Sequence, residues 1–287
     1  MKSFELSIRD PYVMVHNDMY YMYGTRASQT WGYMDGFDCY TSSNLEDWDG
    51  PYEIFRKTEN FFADRCYWAP ECYEWNGTFY LFTTLASETI KQGVYVLKSD
   101  NPLGPFEMMH RITPENQACI DGTVCEVQGK KYLVYSHTLI DEPRGSMEAM
   151  ELDPVSLKAV SDSIHLFYAS DVSWAKPVPF AKEEFNIDGD AYFTDGPCVL
   201  VNDDESLMML WSSWNTGGYG VGIAYSPSGS MAGPWTHDDD LLISDGGHGM
   251  VFTSIDEGIR FFTLHRPNDF TKERPTFLEL EKLIPKR

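Results

Sequence analysis

The sequence predicts an all-β fold, because one hairpin pattern recurs five times along its 287 residues. In each copy a mainly apolar run leads into a polar or glycine-containing turn and an apolar return run follows, as in two antiparallel strands. A further pair of strands follows in several copies, and its outer strand is led by Gly-Pro-aromatic, as in Gly50-Pro51-Tyr52 and Gly233-Pro234-Trp235. Units of roughly forty to sixty residues have the length of four-stranded blades. The sequence therefore predicts a five-bladed β-propeller with four antiparallel strands per blade, in a single domain over residues 1–287.

The first hairpin, which begins at Asp10-Pro11, defines the repeated unit. It alternates through Tyr12 to Val15, turns at Asn17-Asp18 and returns through Met19 to Tyr23. The five hairpins open with Asp10, Ala69, Asp121, Asp195 and His248. A stacked solenoid is the alternative repeat architecture, although the spacing is too long for a short-rung β-helix.

An irregular stretch lies between the third and fourth units, at about residues 161–193. It contains Trp174, two prolines and the acidic pair Glu183-Glu184. Its length predicts an insertion with its own loop or short strands, and long loops on rigid scaffolds often shape a site. The sequence leaves open whether the insertion covers the central funnel or lies at its rim.

The charge of the chain restricts its partners. There are 22 Lys and Arg residues against 44 Asp and Glu residues, which gives a formal net charge of −22. A chain this acidic is a poor partner for nucleic acid or an anionic membrane. No apolar run reaches the roughly twenty residues that a membrane span requires. The N-terminal segment has no hydrophobic signal core, so a cytoplasmic location is expected.

The six cysteines are expected to be free thiols. They lie mostly in strand patterns and never form a CxxC pair. Disulfides and a metal cluster are the alternatives, and both are disfavoured in a reducing cytoplasm.

Three of the hairpins open with a carboxylate, and these three residues are the catalytic candidates. A single aspartate at a strand end usually caps a turn, but Asp10, Asp121 and Asp195 recur at related positions in different units. The inner strands of a propeller converge on its axis, so the three carboxylates are expected to meet there and to drive their pKa values apart. Such a set supplies both an ionised base and a protonated acid, which is what glycosidic cleavage uses.

The blade openings resemble those of glycoside hydrolase family 43 over nearly the whole chain. The motifs are Arg9-Asp10-Pro11, Trp68-Ala69-Pro70-Glu71, Ile120-Asp121-Gly122, Thr194-Asp195-Gly196-Pro197 and Gly247-His248-Gly249. The resemblance implies a five-bladed propeller and hydrolysis with inversion, commonly of β-xylosides or α-L-arabinofuranosides. It implies Asp10 as general base, Asp121 as the carboxylate that tunes and orients the acid, and Asp195 as general acid.

Position 195 departs from the family pattern, which usually has glutamate there. Aspartate is one methylene shorter, which costs roughly 1.5 Å of reach, and general acids are sensitive to such distances. An inverting pair needs carboxyls about 6.5–9.5 Å apart, so a modest change can be absorbed. Glu71 is the reserve candidate for the acid, and its more ordinary role is that of a hydrogen-bond partner at the site wall.

Several further residues are predicted to bind substrate. Trp68 opens the second blade, where its indole is expected to stack on the C–H face of a sugar. Trp31 and Phe37, in the loop after the first hairpin, are further candidates. Arg266 follows the fifth return strand and is expected to bind sugar hydroxyls and hold a carboxylate ionised, with a surface salt bridge as the alternative.

His248 is the candidate metal contact. In the resembled family a histidine at this place often contacts a calcium ion on the axis, completed by waters. Because calcium prefers six to eight oxygen ligands, such an ion would be structural or charge-tuning, and no cofactor is required for the chemistry. An ordinary packed histidine is the alternative.

The expected function is that of an inverting, exo-acting glycoside hydrolase that attacks β-xylosides or α-L-arabinofuranosides in short oligosaccharides. A glycoside phosphorylase is one alternative, but it would need a basic cluster for phosphate, and only Arg9 and Arg266 lie near blade openings. A non-catalytic carbohydrate-binding propeller is the other. The oligomeric state is left unknown.

Overall fold

Five antiparallel sheets make up the computed structural model, which describes residues 1–284. The first sheet contains β1 (Ile8–His16), β2 (Met19–Arg26), β3 (Gly36–Ser42) and β4 (Asp49–Arg56). The second contains β5 (Arg65–Trp75), β6 (Thr78–Ala86), β7 (Gly93–Ser99) and β8 (Glu107–Arg111). The third contains β9 (Cys119–Val127), β10 (Lys130–His137), β11 (Ser146–Leu152) and β12 (Ile164–Tyr168).

The last two sheets complete the ring. The fourth contains β13 (Asp195–Val201), β14 (Leu207–Asn215), β15 (Gly218–Ser226), β16 (Thr236–His237) and the short β17 (Ile243–Ser244). The fifth contains β18 (Gly247–Thr253), β19 (Arg260–Arg266) and β20 (Arg274–Glu279). The inner strands contact one another in the order β1, β5, β9, β13 and β18, and β18 returns to β1. The predicted five-bladed propeller is therefore confirmed.

The fifth blade differs from the expected pattern because it has three strands within residues 1–284. The 3₁₀ turn Ser3–Glu5 from the start of the chain packs beside β20, where Arg274 Nε donates a hydrogen bond to the Phe4 carbonyl at 3.1 Å. After β20 the chain turns directly into the short helix α2 (Leu280–Leu283). An N-terminal turn thus covers the outer edge of this blade, where the pattern predicted a strand.

The blades pack through large apolar side chains. Between the third and fourth blades Trp211 is fully buried, with the rings of Trp174 and Phe167 at 4.7 and 4.9 Å. Burying one such side chain contributes about 1.5–3 kcal/mol. The six cysteines carry free thiols, and five of them are buried. Neither α1 (Ala181–Phe185) nor α2, the α-helices within residues 1–284, is long and apolar enough to span a membrane.

Each inner strand carries a β-bulge near its first residues, and one residue of each bulge has a left-handed backbone. These residues are Asp10 (φ 53°), Ala69 (φ 45°), Asp121 (φ 58°), Gly196 (φ 50°) and His248 (φ 46°). Bulges re-aim side chains and are common beside active sites. Four of the five backbone N–H groups at these positions donate hydrogen bonds to side chains on the second strand of the preceding blade. The acceptors are Thr25 Oγ1 for Ala69, Thr84 Oγ1 for Asp121, Ser212 Oγ for His248 and His265 Nδ1 for Asp10.

The insertion before the fourth blade reaches the central cleft. It supplies β12, the 3₁₀ turn Ala169–Asp171 and α1. A small apolar cluster attaches the insertion to the third blade. In this cluster Val178, Ala181 and Ala191 pack against Leu139, which follows β10. The question that the sequence left open is answered, because part of this insertion forms a wall of the central cleft.

Candidate active site

A cleft of about 560 Å³ opens on the propeller axis. Asp10, Asp121, Asp195 and His248 lie at its base. Its apolar wall is formed by Phe180, Phe185, Phe193, Trp214 and Ile140, and the indoles of Trp31 and Trp68 face it from the first two blades. The structure thus brings the three predicted carboxylates together in one concave site with aromatic walls, which is the form of a carbohydrate site.

Asp10 lies in a cage of hydrogen-bond donors. Its side chain is 6% exposed, and Oδ2 accepts a 2.7 Å hydrogen bond from Thr25 Oγ1. Its Oδ1 lies 3.5 Å from Arg9 Nε and 3.4 Å from His248 Nδ1. Thr25 also accepts the Ala69 N–H, so its hydroxyl proton is directed toward Asp10.

These contacts determine the charge of Asp10. Burial acts to raise its pKa, but His248, His265 and Arg9 together outweigh burial and hold the pKa of this carboxyl well below its usual range. Burial lowers the pKa of His248 to about 4 and also lowers the pKa of His265, so both rings are neutral near pH 7. The permanent positive charge that stabilises the Asp10 carboxylate at neutral pH is therefore that of the Arg9 guanidinium.

The tautomer of His265 follows from its neighbours. Asn268 Oδ1 accepts from Arg9 Nη1 at 2.9 Å and lies 3.1 Å from His265 Nε2. An amide oxygen only accepts, so the imidazole proton is on Nε2. In this neutral tautomer His265 Nδ1 accepts the Asp10 backbone N–H at 3.3 Å, which fixes Asp10 at the junction of the fifth and first blades. Asp10 Oδ1 lies 3.3 Å from the same nitrogen, so the ring donates to this carboxylate only when it is protonated.

Asp195 occupies a different strand position from the other two carboxylates. The pairing of β13 with β14 sets Asp195 opposite Ser212, as Arg9 is opposite Thr25 in the first blade. Gly196, not Asp195, has the left-handed backbone of the bulge. The prediction that Asp195 is equivalent to Asp10 and Asp121 is therefore corrected by one residue. Its partly exposed carboxyl still reaches the cleft, where Oδ2 accepts a 3.1 Å hydrogen bond from the Tyr219 hydroxyl.

Asp121 and Asp195 form a pair with a strong affinity for a proton. Burial and the negative charges of Asp195 and Asp10 raise the pKa of Asp121 well above its usual value. Burial raises the pKa of Asp195 to about 7, against the opposing effects of Arg9 and Tyr219. The Gly196 N–H donates to Asp121 Oδ2 at 3.2 Å, and His248 Nδ1 lies 3.4 Å from the same oxygen. Because the carboxyls interact, they titrate as a pair that retains a proton at neutral pH.

Arg9 is the functional residue whose importance the sequence did not reveal. Its guanidinium lies between the rings of Trp31 and Tyr219, 5.7 and 5.8 Å from their centroids. Its Nη1 contacts Glu273 Oε1 at 3.3 Å, and Glu273 is only 1% exposed. Glu273 Oε2 has no hydrogen-bond partner within the described chain, although Glu273 lines the cleft. Asn268 and Glu273 are more than 250 residues away in sequence, so no local pattern indicated this cage.

The predicted substrate-binding residues divide into two groups. Trp31 and Trp68 line the cleft, with their rings in edge contact at 5.6 Å, and Trp68 Nε1 donates to the Thr30 carbonyl. Phe37 is 1% exposed and packs against Phe55 and Tyr67, so the structure places it in the core. The prediction that Phe37 contacts substrate is corrected accordingly.

Glu71 and Arg266 also lie away from the cleft. Glu71 is 8% exposed and accepts a hydrogen bond from the Tyr73 hydroxyl, and burial raises its pKa to about 7. It lies two residues beyond the left-handed Ala69 and does not line the cleft, so the structure gives it no contact with a leaving group. Arg266 is exposed at the end of β19, and the guanidinium among the carboxylates is that of Arg9.

His248 faces two carboxylates through Nδ1, as described above. Within residues 1–284 no group of three or more His, Cys, Asp or Glu side chains is arranged to hold a metal ion. One imidazole is a poor basis for a calcium site, since calcium prefers six to eight oxygen ligands. The described residues thus do not form a calcium cage of their own, and a calcium contact at His248 stays a prediction.

Comparison with known proteins identifies relatives of this arrangement. The model of the family described as "Glycosyl hydrolases family 43" matches residues 4–281. The chain is similar to an endo-arabinase from Bacteroides thetaiotaomicron VPI-5482, with 31% identity, a TM-score of 0.87, and coverage of 98% of this chain and 96% of that one. No curated protein sequence matches the chain.

Two more distant structures show the same fold. An endo-1,4-beta-xylanase from the same Bacteroides strain has 22% identity and a TM-score of 0.73, with 96% of this chain and 90% of that one covered. An α-L-arabinofuranosidase from Lactobacillus brevis has 17% identity and a TM-score of 0.73, with 95% and 90% covered.

Proposed function

This chain belongs to glycosyl hydrolase family 43 and is an inverting glycoside hydrolase, and from that premise we propose that it hydrolyses α-L-arabinofuranosidic bonds in oligosaccharides. The likeness to the endo-arabinase favours arabinose over xylose, because that enzyme is 31% identical to this chain, whereas the xylanase is 22% identical over similar coverage. The observation that carries the chemistry is that two carboxylates with opposite protonation tendencies face one cleft.

The proposed mechanism uses these two carboxylates as base and acid. The ionised Asp10 accepts a proton from a water as that water attacks the anomeric carbon. Asp195 donates its proton to the glycosidic oxygen as the bond to the leaving sugar breaks. The base ends protonated and the acid ends ionised, and exchange with solvent restores both. Asp121 keeps a proton on the pair, because two ionised carboxylates at this site would repel each other.

The sequence predicts exo action, but we propose endo action instead. The relative's description as an endo-arabinase favours cleavage within chains. The two modes give different early products from a linear arabino-oligosaccharide, since exo action releases only arabinose or one fixed short product. We expect a mixture of intermediate lengths at low conversion.

The proposed specificity is tested with a panel of para-nitrophenyl glycosides and with arabino- and xylo-oligosaccharides of equal length. The expected result is hydrolysis of the α-L-arabinofuranosides and arabino-oligosaccharides in preference to the β-xylosides. A clear preference for xylo-oligosaccharides would overturn the proposed substrate while leaving the hydrolase assignment intact.

A phosphorylase is disfavoured by the charges of the cleft. Among the described residues that line it, Arg9 is the single Lys or Arg side chain, and it is already paired with Asp10 and Glu273. Cleavage rates that are equal in phosphate and in phosphate-free buffer are therefore expected.

The pH dependence of kcat/KM follows from the two carboxylates. Asp10 has a lowered pKa and stays ionised over the whole working range, whereas Asp195 loses its proton as the pH rises through about 7. We therefore expect kcat/KM to be level in mild acid and to fall above about pH 7.

The Tyr219→Phe variant tests that assignment. The Tyr219 hydroxyl favours the ionised form of Asp195, so its removal raises the pKa of Asp195 and moves the alkaline fall to higher pH. Tyr52→Phe, at an exposed tyrosine on β4, is the control and should leave the profile unchanged. An alkaline fall that stays in place or moves to lower pH in Tyr219→Phe would contradict the role given to Asp195.

A further inference from the structure

A second cavity of about 450 Å³ adjoins the cleft on the side of the first two blades. Thr30, Trp31 and Trp68 line both cavities, so the two share one wall. Beyond that wall the second cavity is lined by Tyr33, Asp64 and Arg65. A ligand that extends out of the cleft over Trp31 would therefore enter the second cavity.

Two large aromatic side chains are exposed at the surface of this cavity. The side chains of Trp31 and Tyr33 are 64% and 65% exposed. Large apolar side chains clustered at the surface beside a binding cleft mark interaction sites more often than single scattered ones do. The Trp31 ring is in edge contact with Trp68, and the Lys57 ammonium lies 4.8 Å from the centre of the Tyr33 ring.

The cavity also carries polar groups suited to hydroxyls. Arg65 and Asp64 are both exposed and lie 3.3 Å apart, so neither loses solvation by forming the pair. Exposed pairs of this kind contribute little to stability, and their donors and acceptors remain available to a ligand. Trp68 Nε1 donates a hydrogen bond to the Thr30 carbonyl, and Met34 N donates one to the Asp64 carbonyl. These two bonds attach the loop between β2 and β3 to the second blade.

We propose that this second cavity is a distal subsite that binds further sugar units of the same oligosaccharide, with Tyr33 and Trp31 as stacking platforms. The inference rests on the proposed function, because the occupant is the continuation of the chain held in the cleft. Aromatic faces flanked by a charged hydrogen-bonding pair match the apolar faces and hydroxyl edges of a sugar chain. The enzyme accordingly prefers long oligosaccharides over short ones.

The test compares kcat/KM across arabino-oligosaccharides from the disaccharide to the octasaccharide. In the wild type we expect kcat/KM to rise with oligosaccharide length, including at lengths greater than the cleft alone can hold. In Tyr33→Ala the ratio of octasaccharide to disaccharide kcat/KM should fall about tenfold, which corresponds to ~1.4 kcal/mol. Tyr52→Ala replaces a tyrosine that lines neither cavity and is the matched control, with an unchanged ratio.

Two further measurements separate the possible failures. If no arabino-oligosaccharide is hydrolysed, the proposed function fails, and calorimetric binding of the same oligosaccharides to wild type and Tyr33→Ala then tests the subsite directly. Equal dependence on chain length in the two proteins, or no binding of the octasaccharide, would overturn the subsite. A changed oligomeric state of Tyr33→Ala on size-exclusion chromatography, with an unchanged length dependence, would identify the surface as an interface between copies and would also overturn it.

Discussion

Replacing Asp10 by Asn is expected to lower kcat roughly 10²- to 10⁴-fold, the contribution of a positioned general base. The substitution keeps the shape of the side chain and an oxygen that accepts the Thr25 hydroxyl, but it removes the group that takes the proton from water. The measurement is steady-state hydrolysis of an arabino-oligosaccharide, together with calorimetric binding of the same substrate.

Binding distinguishes loss of the base from loss of the fold. The Asp10→Asn protein should retain the wild-type circular dichroism spectrum and still bind the oligosaccharide. A variant that keeps a tenth or more of the wild-type kcat would contradict the assignment of Asp10 as base.

Replacing Arg9 by Met is expected to lower the free energy of unfolding by about 3–5 kcal/mol, the effect of removing one partner from a buried ion pair. Asp10 and Glu273 are 6% and 1% exposed, and the guanidinium is the permanent positive charge that faces both of them. The measurement is equilibrium unfolding in urea at neutral pH. Arg56→Met is the matched control, because Arg56 is 60% exposed and its pairs with Asp35 and Glu53 should contribute no more than about 1 kcal/mol.

A double variant tests the cause of that loss. Adding Glu273→Gln to Arg9→Met removes one of the two buried charges left unpaired, so the double variant should be more stable than Arg9→Met alone. If Arg9→Met unfolds within about 1 kcal/mol of the wild type, the guanidinium does not have the electrostatic role that its contacts indicate.

The repeats allowed the fold and much of the site to be predicted, because each blade repeats its own strands, turn and opening residue. The position of Asp195 was misplaced by one residue, although the sequence holds a signal for it. Pro11, Pro70 and Pro197 directly follow Asp10, Ala69 and Gly196, and all three of those residues have left-handed backbones. Aligning the prolines sets Asp195 level with Arg9, as the strand pairing does.

Other features depended on contacts that no local pattern encodes. The position of the Arg9 guanidinium beside Asp10 depends on its hydrogen bonds to Asn268 and Glu273, which lie near the other end of the chain. Phe37 is predicted to lie in the loop after the first hairpin, but it belongs to β3 and its ring packs against Tyr67 of the second blade. The direction of a side chain at a strand end depends on bulges and on the next blade, and so it required the structure.

The role of Asp195 as general acid is tested most directly by comparing two leaving groups in the Asp195→Ala variant. The kcat/KM for arabinotriose should fall roughly 10²- to 10⁴-fold, because a sugar alkoxide needs the proton that the acid supplies. The kcat/KM for para-nitrophenyl α-L-arabinofuranoside should fall far less, because nitrophenolate leaves without being protonated. An equal loss on both substrates would show that Asp195 holds the site together without donating a proton, and would contradict the proposed mechanism.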